Sequence, residues 1–87
     1  MRHEKKIWPE YFQAILEGRK KFELRLADWS CATGDVLVLR EWDPVTKEYT
    51  GRTVEKEVAY VLRTKGAEQF WSPEDIQQYG FQIISFD

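Results

Sequence analysis

Gly18, Lys20, Glu23 and Arg25 set two cations and a carboxylate close together in an 87-residue chain. An ammonium and a planar guanidinium donate hydrogen bonds, and an ionised carboxylate accepts them. That combination suits a ligand carrying both an anionic group and a hydrogen-bonding heterocycle. Lys20 can meet a phosphate or a base carbonyl, Glu23 a base amino group, and Arg25 a phosphate or carbonyl through its fork. Lys20 and Glu23 are also the candidate catalytic groups, with Glu23 as a general base. The competing interpretation is a set of surface charges that pair with one another or with neighbours. Arg19, beside Lys20, and Trp29, in a polar stretch shortly after, complete the candidate ligand contacts. For Trp29 the contact would be base stacking, worth about 1–3 kcal/mol per base.

The elements that must position these residues follow from periodicity. Pro9 opens a helix, where its missing N–H costs nothing. Trp8, Phe12, Ile15 and Leu16 form its apolar stripe, Glu10 suits its positive end, and Gly18 stops it. From Lys21 to Leu26 the period changes to two, with Phe22, Leu24 and Leu26 on one side and Lys21, Glu23 and Arg25 on the other. This predicts a strand and places the signature at a helix-to-strand corner. His3 to Ile7 is a short edge strand. Val36 to Leu39 is a continuous apolar run, as expected of a strand covered on both faces. Asp43-Pro44 ends it, and a further strand runs from about Arg52 to Arg63. Ser72 caps a short second helix that Gly80 ends, and Phe81 to Phe86 is the last strand. The predicted fold class is α+β. It is a small, mixed, mostly antiparallel β-barrel carrying one N-terminal helix and a short second one, with the whole chain as one domain.

Composition narrows the function classes. Hydrophobic residues at 43% and aromatics at 15% suffice for a core in a chain this short. The net charge of -2 argues against indiscriminate nucleic-acid binding. The charge is uneven, however: residues 1–25 hold seven basic and four acidic groups, and residues 26–87 hold six and eleven. A basic first part on an acidic body suits a local anion site, although an ordinary mixed surface has the same composition. A single cysteine, Cys31, precludes an internal disulfide and suits a reducing compartment, so a cytoplasmic location is expected. No signal peptide and no membrane span are expected. His3 and Cys31 have no partner at metal-ligand spacing, so no metal is expected, and no glycine-rich loop suggests a cofactor.

The G-x-K-x-x-E-x-R pattern of Gly18, Lys20, Glu23 and Arg25 resembles the signature of ASCH domains in the PUA-like superfamily. The match extends to Gly34-Asp35 before an apolar strand, to Val38-Leu-Arg-Glu-Trp-Asp-Pro, to Tyr49-Thr-Gly-Arg52 and to the His3-Glu-x-Lys start. These blocks resemble a compact prokaryotic and phage branch of unknown function, over almost the whole chain. The resemblance implies a PUA-like barrel with a cleft between the first helix and the barrel. It also implies RNA or a nucleoside or nucleotide as partner. One ASCH enzyme type hydrolyses the acetyl amide of N(4)-acetylcytidine with a lysine, a threonine and a glutamate. Lys20 matches the lysine, Glu23 stands where that type has its threonine, and Glu68 lies in the region of its glutamate. The expected function is therefore an RNA- or modified-nucleotide-binding module. A hydrolase acting on such a nucleoside or on RNA is the alternative, and a protein-interaction domain is a third.

Overall fold

A computed structural model describes residues 1–86, with the backbone alone at Ala67 and Glu68. Along the chain lie β1 (Arg2–Ile7), α1 (Pro9–Leu16), β2 (Val36–Asp43), β3 (Glu48–Glu57), a 3-10 turn (Ala67–Phe70) and α2 (Pro73–Tyr79). The strands form one sheet in the order β1-β2-β3. β1 runs parallel to β2, from Arg2 opposite Val36 to Ile7 opposite Glu41. β2 and β3 are an antiparallel hairpin. The sheet is thus mixed, with one pairing of each kind.

The central position of β2 explains its unbroken apolar run. Leu39 faces α1, where it joins Ile7, Phe12 and Ile15 in the core, with Leu37 and Val54 partly buried against them. Val38 faces the opposite way and is also buried. Phe12 and Leu39 are only 1% exposed, and burying each such side chain is worth about 1.5–3 kcal/mol. α1 begins at Pro9 as expected. Its end is tied by backbone donors: Gly18 N–H reaches the Ile15 carbonyl, and Arg19 and Lys20 both donate to Ala14. Gly18 takes the positive φ of 79° that this fold-back needs.

The β2–β3 turn is built on Asp43, whose carboxylate accepts from Val45 N–H at 2.8 Å. Thr50, Gly51 and Arg52 of β3 then stand opposite the single residue Glu41, a bulge between two stretches of regular pairing. Gly51 at φ 96° accommodates it.

Several expectations need correction. Residues 21–26 and 81–86 are not strands, and the second hairpin strand is Glu48–Glu57 rather than 52–63. The described sheet is open, with three strands, and does not close into a barrel. Residues 21–26 keep an alternating pattern, but side-chain bonds take the place of a ladder, as when Arg25 Nη2 donates to the Lys6 carbonyl. The helix stripe is narrower than its spacing suggests, because Trp8 and Leu16 are each 47% exposed. The second helix does follow its signals: Ser72 Oγ accepts from Asp75 N–H at 3.1 Å, and Gly80 ends it.

Candidate functional site

The connection from β1 to β2 runs through α1 and then returns past the end of β1. Its return leaves a cleft of about 550 Å³ lined by Lys6, Ile7, Trp8, Tyr11 and residues 20 and 22–25. Fold-back of the α1 terminus fixes Lys20 at one side of this cleft. Lys20 Nζ donates to the Phe22 carbonyl at 2.7 Å and pairs with Glu23 Oε1. Arg25 Nε donates to the other oxygen, Glu23 Oε2, at 2.8 Å. One carboxylate is therefore clasped between an ammonium and a guanidinium. Glu23 and Lys20 have side chains only 13% and 16% exposed, and Arg25 30%.

Aromatic faces border the charges. Lys20 Nζ lies 4.9 Å from the Phe22 ring centroid, while Trp8 and Tyr11 are each about half exposed. The three predicted residues Lys20, Glu23 and Arg25 are thus brought together in one wall. Arg19 is not part of the cleft lining and instead donates through Nε to Glu17 at 2.9 Å. Trp29 also lies off that lining, packed against the His3 ring at 4.9 Å between centroids with Lys5 Nζ 3.8 Å from its own. The Glu68 side chain lies outside the described residues. Trp8, Tyr11 and Lys6 were missed as lining residues. A helix stripe does not say which of its members reach the core and which stop at the rim.

A second polar constellation sits between α1 and the hairpin. Glu41 is 5% exposed and accepts from Thr50 Oγ1 at 2.6 Å and from Arg52 Nε at 3.0 Å. Arg52 also reaches Gln13 of α1 at 3.2 Å and lies 4.7 Å from the Phe12 ring centroid. The Arg52 hydrogen bonds, then that of Thr50, hold the Glu41 carboxyl below its ordinary range despite the opposing cost of burial. The arrangement ties helix to sheet and is complete in itself. Sequence reasoning gave these residues no role, since the bulge that gathers them is invisible in spacing.

At the other end of the sheet, His3 Nε2 donates to Asp35 Oδ2 at 2.9 Å. Asp35 also accepts from the α-ammonium of Met1 at 3.0 Å and from Ala32 N–H at 3.1 Å. These bonds, led by that of His3, push its carboxyl far below the usual value. Cys31 completes a group whose ligand-type atoms lie within 4.8 Å of one another. Residues 28 positions apart meet here because β1 and β2 are parallel neighbours, a pairing that the sequence does not announce.

Comparison with known proteins then adds the family. Residues 2–72 match the profile of a domain of unknown function, DUF3850. The chain belongs to that family. The matched part of this DUF3850 chain holds α1, all three strands, the cleft and the Glu41 network. It is also similar to an uncharacterised 12.9 kDa protein in the GpA 3' region of Escherichia phage P2, 42% identical over 59 residues. That match covers 68% of this chain and 52% of the phage protein, so it spans about half of the relative's length. Among the described residues of the DUF3850 chain, no helix is long and apolar enough to cross a membrane.

Proposed function

We propose that this DUF3850 chain is an ASCH-type, PUA-like module that binds RNA or a modified nucleotide in the cleft beside Lys20, Glu23 and Arg25. The observation that carries the reading is the mixed lining of the cleft: a clasped carboxylate and two cations beside half-exposed Trp8 and Tyr11. Aromatic faces suit a base, and cations suit a phosphate or carbonyl. An ammonium has three N–H donors and a guanidinium five, more than the contacts described above use, so both can take up a ligand without releasing Glu23.

Binding is favoured over hydrolysis because both Glu23 oxygens are engaged by cations. A carboxylate so held is suited to fixed recognition, whereas a general base needs an oxygen turned toward the proton it removes. The chain also has Glu23 where the amidase type has its threonine.

Titration of the protein with short RNA oligonucleotides and with N(4)-acetylcytidine, followed by tryptophan fluorescence at low salt, tests the reading. Saturable binding is expected, and Lys20→Ala should weaken it about tenfold or more, the order of a lost charge-assisted hydrogen bond. Lys20→Ala is preferable to Arg25→Ala as the diagnostic variant, because Arg25 also anchors the return segment to β1. Absence of binding to every RNA and nucleoside would sink the proposal. Conversion of acetylcytidine to cytidine, seen by chromatography, would replace it with the hydrolase reading.

A further inference from the structure

We infer that His3, Cys31 and Asp35 form a three-ligand site for a divalent zinc-type cation, separate from the cleft. None of the three lines the cleft, and the inference does not depend on what the cleft binds. The group brings one imidazole nitrogen, one thiol sulfur and one carboxylate oxygen within 4.8 Å of one another, all three residues being partly buried. Nitrogen, sulfur and oxygen donors in this mixture suit a borderline cation such as zinc rather than the all-oxygen set that calcium or magnesium prefers.

Zinc bonds of about 2.0–2.3 Å put tetrahedral ligand atoms about 3.3–3.8 Å apart. The His3–Asp35 contact at 2.9 Å is therefore slightly tight and opens by a few tenths of an ångström, whereas Cys31 closes in from within the 4.8 Å span of the group. The backbones of two of its members are held by the sheet. His3 lies on β1, and Asp35 immediately precedes β2, across the parallel pairing. Their side chains already meet at 2.9 Å. Cys31 belongs to the irregular connection before β2, so it is the ligand that closes in. Arg63 Nη2 holds the Cys31 carbonyl at 3.1 Å and leaves the sulfur uninvolved in that contact.

Charge and orientation agree with this assignment. A thiolate and a carboxylate together neutralise a divalent cation, and a neutral imidazole adds no charge. Binding breaks the S–H bond of Cys31, forms the metal–sulfur bond and releases the thiol proton to solvent. The neutral His3 ring moves its one proton from Nε2 to Nδ1 by exchange with solvent, giving up the hydrogen bond to Asp35, so that the Nε2 lone pair binds the metal with no further proton released. Trp29 packed against the ring restricts its plane, and Ala32 N–H steadies the carboxylate, the supporting contacts that a metal ligand needs. Three protein ligands leave a fourth position for water or for an incoming group.

Cobalt(II) as a spectroscopic probe tests the site on the full chain, with zinc as competitor. One equivalent of cobalt should bind with a thiolate-to-cobalt charge-transfer band, and zinc should displace it. Cys31→Ser, a near-isosteric change, should abolish the band while the circular dichroism of the fold is kept. His3→Gln and Asp35→Asn should each weaken zinc binding tenfold or more. A folded wild-type protein that gives no charge-transfer band would overturn the assignment. So would a band of undiminished affinity in His3→Gln, which would mark adventitious binding to a cysteine alone.

Discussion

At the scale of single residues, the molecule invests its charges in bonds within itself. Glu23, Glu41 and Asp35 each accept from more than one donor. Of these, Glu41 ties most directly into stability, because it is buried and its hydrogen bonds from Arg52 and Thr50 hold its carboxyl below the ordinary range. A carboxyl depressed in the folded state contributes its full stability above its unfolded value and loses it as the pH falls through the folded value. Denaturation midpoints should therefore hold near neutrality and decline as the pH drops below about 4.5. Glu41→Gln should lower the midpoint at pH 7 and flatten that acid decline; an equally steep decline in the variant would assign the acid sensitivity elsewhere. The charged part of the cleft lining was legible at this scale, and its aromatic part and Lys6 were not. Lys20, Glu23 and Arg25 do share a wall, because alternation in an extended segment puts Glu23 and Arg25 on one side whether or not a ladder forms. Trp29 was placed by its polar neighbours alone. It went instead to His3 and Lys5, partners named by the sheet.

At the scale of elements, local signals were read well and pairings poorly. Pro9, Gly18, Ser72 and Gly80 mark helix ends through backbone chemistry that acts within a few residues. Strand partners depend on distant chain, so the parallel pairing of β1 escaped notice, as did the early start of β3. The latter is set by Tyr49 pairing with Trp42 across the hairpin. The Gly51 bulge shows the same limit and lends itself to a test. A Cβ at Gly51 would meet no atom within 4 Å, so any penalty in Gly51→Ala comes from its φ of 96°. Such a substitution should cost on the order of 1–2 kcal/mol. Chemical denaturation should show that loss. A neutral result would mean that the bulge relaxes without it.

At the scale of the whole molecule, the core is concentrated in the first two-thirds of the chain. Ile7, Phe12, Ile15 and Leu39 form its centre. Tyr60, Leu62, Phe70 and Ile84, by contrast, are each at least 70% exposed. Phe12→Ala should remove about 3–5 kcal/mol, a large share of the roughly 4–13 kcal/mol expected for a domain of this size. Hydrogen exchange should find the slowest amides in β2, whose neighbours lie on both sides, and faster exchange from residue 59 onward. Slow exchange throughout 59–86 would show that this part is anchored as firmly as the sheet. Aromatic and β-branched residues in 81–86 favour a strand but supply no edge for it to join, so the described sheet stays open where a barrel is expected.

The parallel register of β1 and β2 also sets an order of assembly. A hairpin can close as soon as its turn exists, but β1 must wait for residues 36–41, with the whole of 8–35 looped out between. The cleft and the His3–Cys31–Asp35 group are both bounded by that loop. On a growing polypeptide, a chain that stops at Asp35, just short of β2, carries every side chain of the cleft and all three cation ligands without either site. Synthesis of a single central strand brings both into being together.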